Sequence, residues 1–161
     1  MKKLTLIRHG KSSWNYNVSD RDRPLLERGI NDAYLVAGAL KEPIIDAVFS
    51  SPANRALHTC NIFLRVLSIP SSELRIYDEL YDFSGEYVIN FIKSLDNKFN
   101  NVVIFGHNHA LTHIVNMYGD KEIENVPTAG LVELNFNTLE WSGIVKGNTQ
   151  NVIFPKHLKN D

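Results

Sequence analysis

Arg8, His9 and Gly10 stand side by side directly after the apolar run LTLI, so a cation, an imidazole and a residue without a side chain meet where a strand should end. Three other segments bring comparable groups to comparable places. The stretch VFSSPANR leaves a strand-like run and puts Arg55 in the first turn of a helix. VVIFGHNHAL sets His107 between a strand-like run and the next helix, and IYDELYDFSGE carries Asp78, Glu79 and Asp82 after a shorter one. The guanidiniums of Arg8 and Arg55 are planar forks suited to phosphate oxygens. A helix opening at Ser51 adds the positive end of its dipole. A neutral imidazole can attack phosphorus, a protonated one can donate to a phosphoryl oxygen, and a carboxylic acid can protonate a leaving group. These residue types describe phosphoryl transfer in which arginines do the charge work of a metal.

Such groups converge only if the elements carrying them share one rim. β-Branched and aromatic content predicts strands at 3–7, 46–49, 73–76, 102–105, 131–135 and 140–145. NVVIF is nearly all apolar, as a strand covered on both faces should be, whereas LVELNF alternates, as a strand with one wetter face should. Helical spacing of Ile30, Ala33, Tyr34, Ala37 and Leu40 predicts a helix over 27–40. Ser51 and Pro52 open a second, with Ala56, Cys60, Phe63 and Leu67 as its apolar stripe. Ser84 is the expected cap of a third, carrying Val88, Phe91, Ile92 and Leu95, and a fourth begins near Asn108 with Leu111, Ile114, Val115 and Tyr118. Alternating strands and helices predict an α/β fold, a three-layer sandwich with a mostly parallel sheet and helices on both faces. Ligands of such folds bind beyond the carboxyl ends of the strands, where all four segments deliver their polar residues.

The 161 residues suit one domain over 1–161 with a sizeable core, and no repeat or linker-like tract divides them. A formal net charge of −1 provides no global field for nucleic acid or an anionic membrane, so an anion site must be built locally. The apolar runs are too short for a transmembrane helix or a signal peptide, and Cys60 is the single cysteine; a cytoplasmic protein is expected.

LIRHGKSSW, DRPLLERG, FSSPANRALHT and FGHNHAL together resemble the motifs of the histidine phosphatase superfamily, in that family's order and over roughly residues 3 to 130. KSSW, DRPLLERG and the compact length resemble its SixA-type phosphohistidine phosphatase branch. The resemblance implies a phosphoglycerate mutase-like fold, no cofactor and no metal. It also implies His9 as a nucleophile that is transiently phosphorylated, Arg8 and Arg55 as phosphate-binding residues, and His107 as a second stabilising histidine. Gly10 matches the small residue that lets the backbone pass close to the nucleophile. The acid is left between Asp82 and Glu79, or absent, because the SixA branch does not reliably carry one. The family's Asn-Pro after the second histidine is here Asn108-His109. The implied substrate is a phosphohistidine on a protein, with a small phosphorylated molecule as the alternative and a non-catalytic phospho-ligand module as the rival from another class.

Other residues carry plainer readings. Arg23 is either a rim residue reaching the phosphate or one half of a loop salt bridge. His109 and His113 are four apart, a spacing that binds zinc, but no third ligand lies nearby in the sequence. His58 and His157 read as surface residues and Cys60 as core, while Trp14 and Tyr16 either flank a pocket mouth or pack their loop.

Overall fold

The computed structural model describes residues 1–159; the last two residues of the expected domain lie outside the described residues. Its elements run β1 (Lys2–Arg8), α1 (Glu27–Ala39), β2 (Ala47–Ser50), α2 (Asn54–Val66), β3 (Leu74–Ile76), α3 (Glu86–Lys93), β4 (Asn101–Gly106), α4 (Ala110–Tyr118), β5 (Leu131–Phe136) and β6 (Asn148–Ile153). The strands form one sheet in the order β3-β2-β4-β1-β5-β6. The pairs β1–β4, β2–β4 and β2–β3 are parallel, while β5 runs antiparallel to both β1 and β6.

The period of two along each strand divides the core into two layers. Leu4, Leu6, Val102 and Ile104 pack on one face with Val88 and Ile92 of α3 and Leu111, Ile114 and Val115 of α4. Ile7, Val48, Val103 and Phe105 pack on the other with Ala33, Val36 and Ala37 of α1 and Cys60, Phe63 and Leu64 of α2. This is the three-layer α/β/α arrangement expected from the sequence. No helix among the described residues is long and apolar enough to cross a membrane.

Two expectations are corrected. The run 140–145 is no strand: residues Trp141–Gly143 form a 3₁₀ turn. Trp141 is fully buried and its indole N–H donates to the Phe99 carbonyl at 2.8 Å. The sixth strand is Asn148–Ile153, an edge strand whose polar residues hid it. The helices α2 and α3 also begin later than expected, at Asn54 and Glu86, because Ser51 and Asp82 hold the approach to each rather than its first turn.

The chain leaving β1 lies against the first turn of α1, and two glycines make that possible. A methyl group on Gly10 would stand 2.6 Å from the Gly29 carbonyl oxygen, and one on Gly29 would overlap the Lys11 carbonyl oxygen. Helix propensity alone favours Gly29→Ala by about 1 kcal/mol. The backbone overlap reverses that sign, and we expect Gly29→Ala to destabilise the protein by about 2 kcal/mol in urea unfolding. A stabilised variant would show that the approach is not tight.

Candidate active site

β1 and β4 end together, with Arg8 opposite Gly106. The next residue of each strand's path is a histidine, so the register itself pairs His9 with His107. The His9 backbone is clamped on both sides: its N–H donates to Gly106 at 3.2 Å and its carbonyl accepts from Ala129 at 2.9 Å. The buried imidazole places Nδ1 2.7 Å from the Gly10 carbonyl oxygen. A carbonyl only accepts, so Nδ1 carries the proton and Nε2 keeps an unprotonated lone pair, toward which Arg55 Nε donates at 3.4 Å. Burial, opposed by the Gly10 hydrogen bond and reinforced by the charges of Arg55, Arg8 and Arg23, pushes the His9 pKa down to about 3. His9 is therefore neutral at physiological pH, oriented by the carbonyl of the next residue, and its unprotonated nitrogen has the character a nucleophile needs.

Thr59 ties this turn to α2. Its hydroxyl accepts from the Gly10 N–H at 2.9 Å and donates to the Arg55 carbonyl, one helical turn back, at 2.8 Å. Arg55 is buried, and its Nε lies 3.4 Å from His9 Nε2. Arg8 donates from Nη1 to the Val126 carbonyl at 2.9 Å, while its buried Nε has no protein partner. Burial and the neighbouring Arg55 pull Arg8 below the usual guanidinium value.

His107 is buried too, its ring 5.2 Å from that of His9 and within 5.3 Å of Tyr81 and Phe83. Ser51 Oγ, 2.8 Å from His107 Nε2, already accepts from the Ala53 amide. A hydroxyl oxygen has two acceptor lone pairs, so this contact fits either tautomer; with the Ser51 proton directed to Nε2, the imidazole proton sits on Nδ1. That Nδ1 has no protein partner. Burial, with His9 and Arg55 close by, pushes His107 down to about 2, so it is a neutral imidazole at physiological pH. An unpaired buried donor costs about 1–3 kcal/mol. Among the side chains of the described residues, two buried nitrogens lack a partner, Arg8 Nε and His107 Nδ1, both on residues that flank His9. Their N–H groups suit the equatorial oxygens of a phosphoryl group bound to Nε2.

Asp20 is the residue that sequence reasoning missed. It sits on a 3₁₀ turn, Asp20–Asp22, in the long connection between β1 and α1. Its backbone carbonyl accepts from Arg55 Nη1 at 2.6 Å, and its carboxylate accepts from Arg55 Nη2 and Arg23 Nη1, each at 3.0 Å, and from the Tyr81 hydroxyl. Burial alone would push its pKa up; the hydrogen bonds from Tyr81, Arg23 and Arg55 outweigh it and hold Asp20 well below the ordinary carboxylate range. The one signal for it was the i, i+3 spacing to Arg23 in DRDR, diluted by Asp22. The salt-bridge reading of Arg23 holds, since it pairs with Asp20; it also borders the cavity, held by Ser12 and Ser13 with its guanidinium 3.2 Å over the Trp14 ring. Arg8, His9, Arg23, Arg55 and Asp20 line one cavity of about 240 Å³, with Lys11, Trp14, Phe83 and Thr128 on its walls.

Asp82, expected as the acid, lies elsewhere in function. It is buried, and its two oxygens accept from the amides of Ser84, Gly85, Tyr87 and Val88 and from the Ser84 hydroxyl. Burial raises its pKa, but the amides of Ser84, Val88 and Gly85 win and lower it. A carboxylate bonded in this way caps α3 and has no proton to give. Glu79, the second candidate, is exposed and lines a surface depression with Tyr77 and Phe91 rather than the cavity. His109 and His113 are exposed on and before α4; His58, His157 and Tyr16 are exposed, and Cys60 is buried. For Asp82→Ala we expect a stability loss of about 2 kcal/mol or more in urea unfolding, since several amides lose their acceptor. A variant of unchanged stability with lost turnover would return Asp82 to the chemistry.

Residues 4–88 match the model of the histidine phosphatase superfamily (branch 1). An uncharacterised protein of Mycobacterium tuberculosis is 33% identical over 103 residues, which cover 63% of this chain and 62% of that protein's length. The protein histidine phosphatase SixA, solved with tungstate, superposes with a TM-score of 0.81 at 25% identity over 98% of this chain and 99% of its own. A phosphoglycerate mutase from Bacillus anthracis shares the fold with a TM-score of 0.69 at 18% identity, over 98% of this chain and 95% of that one. On motifs, fold and family model alike, the chain belongs to the histidine phosphatase superfamily, branch 1.

Proposed function

We propose that the protein is a metal-independent phosphatase acting in the cytoplasm on phosphohistidine carried by a protein, through a phosphorylated His9. The observation that carries this reading is the neutral His9, its Nδ1–H fixed on Gly10 and its unprotonated Nε2 facing the Arg55 guanidinium. In the first step the Nε2 lone pair attacks phosphorus and the substrate's N–P bond breaks. Its electron pair goes to an imidazole whose second nitrogen is protonated, so a neutral imidazole departs. In the second step water attacks the phosphoryl group on His9, the P–N bond breaks back to Nε2, and the water's proton leaves on the phosphate. Arg8, Arg55 and His107 donate to the phosphoryl oxygens in both steps.

The nature of the leaving group follows from the carboxylates. Asp20 and Asp82 are both held ionised by hydrogen bonds, so neither supplies the proton that an alkoxide needs. An imidazole leaves without that help. A protein substrate is favoured by the surroundings: Thr128 borders both the cavity and an adjoining groove of about 690 Å³. The groove offers Arg28, Lys121 and Phe154 to residues flanking the phosphohistidine. The likeness to SixA, a protein histidine phosphatase, supports the same class.

A positioned acid is commonly worth ~10²–10⁴ in rate. We therefore expect kcat/KM on a phosphohistidine peptide to exceed that on an alkyl phosphoester by about 10²-fold or more, in the presence of EDTA. His9→Ala should abolish both activities, and rapid quench of the wild type should trap an acid-labile phosphate on His9. Equal efficiency on both substrates would remove the N–P preference; turnover by His9→Ala would remove the mechanism.

A further inference from the structure

The cavity is lined by four cations, Arg8, Lys11, Arg23 and Arg55, and by a single carboxylate among the described residues, Asp20. A site so rich in positive charge binds phosphate well, and it binds the phosphate product as well as the substrate. Uniform binding of that kind does not raise turnover once the site is full. Asp20 is placed to offset it. Its carboxylate shares the Arg55 guanidinium with His9: Nη2 donates to Asp20 at 3.0 Å while Nε faces His9 Nε2 at 3.4 Å. The same carboxylate engages Arg23.

We propose that Asp20 is a positioning residue whose charge also weakens the hold of the arginine cluster on inorganic phosphate and so speeds product release. The inference rests on the phosphatase reading above. Two features set it apart from simple anchoring of the loop. The Asp20–Asp22 turn contains no buried residue, so no core packing depends on it. Arg55 is also held by the Asp20 backbone carbonyl at 2.6 Å, a contact that no side-chain substitution removes. Asp20→Asn therefore removes the charge, keeps an amide oxygen for Arg55, and leaves the guanidinium in place.

One unit charge, a guanidinium's width from a dianion, changes affinity by roughly tenfold even at the dielectric of water. We expect calorimetric titration of Asp20→Asn with inorganic phosphate to show binding about tenfold tighter than wild type. With p-nitrophenyl phosphate, KM and kcat should fall together, leaving kcat/KM near the wild-type value. Asp20→Glu should restore the wild-type phosphate affinity. Tyr81→Phe, which removes a hydrogen bond from Asp20 but no charge, should bind phosphate within about twofold of wild type. Unchanged or weaker phosphate binding by Asp20→Asn, or a raised KM with a lowered kcat, would overturn the charge role and leave Asp20 a structural anchor. A wild type that binds neither phosphate nor vanadate would overturn the phosphatase reading, and the role of Asp20 with it.

Discussion

The hydrogen bond from His9 Nδ1 to the Gly10 carbonyl, 2.7 Å long, is the constraint around which the rest of the site is built. It fixes one tautomer and one ring orientation, and so decides which nitrogen is free. To serve as the acceptor, the Gly10 peptide must lie where a side chain would strike Gly29 of α1. That position in turn needs Thr59 of α2 to hold the Gly10 N–H. Two helices and the central strand therefore meet at one peptide group, and the register of β1 with β4 brings His107 beside it.

Electrostatics explains what surrounds that core. Burying Arg55 to 2% exposure is costly unless its donors are paired. The pairing comes from the Asp20 carboxylate and the Asp20 carbonyl, a contact made across the long loop between β1 and α1. Burial, reinforced by the clustered guanidiniums, then keeps both histidines neutral: protonating either would add a charge to a desolvated, already positive place. The positive field that suits a phosphoryl group thus also helps keep His9 unprotonated on Nε2.

Much of this was legible in the sequence because the site is made at strand ends. Arg8, His9, Arg55 and His107 each follow an apolar run, and the structure brings all four together. The layers were legible for the same reason, since the central strands are buried on both faces. The edges were not. β6 is polar and pairs on one side only, while the aromatic run at Trp141 mimics a strand although its side chain plugs the core. The carboxylates were misread through a similar ambiguity. Asp82 stands after a strand like a catalytic residue, but its spacing to the amides of 84–88 is that of a cap. Asp20 stands just before DRPLLERG, but it reaches Arg55 only by way of a loop that no periodicity describes.

Everything in the site turns on His9 being neutral, protonated on Nδ1 and bare on Nε2. ¹⁵N NMR of histidine-labelled, phosphate-free protein reads that state directly, with the His9 signals assigned by comparison with His9→Ala. The expected result is the Nδ1–H tautomer from pH 8 down to roughly 4.5, since protonation is held off to about 3. A His9 that titrates near the ordinary imidazole value of about 6.5, or that carries its proton on Nε2, would contradict it.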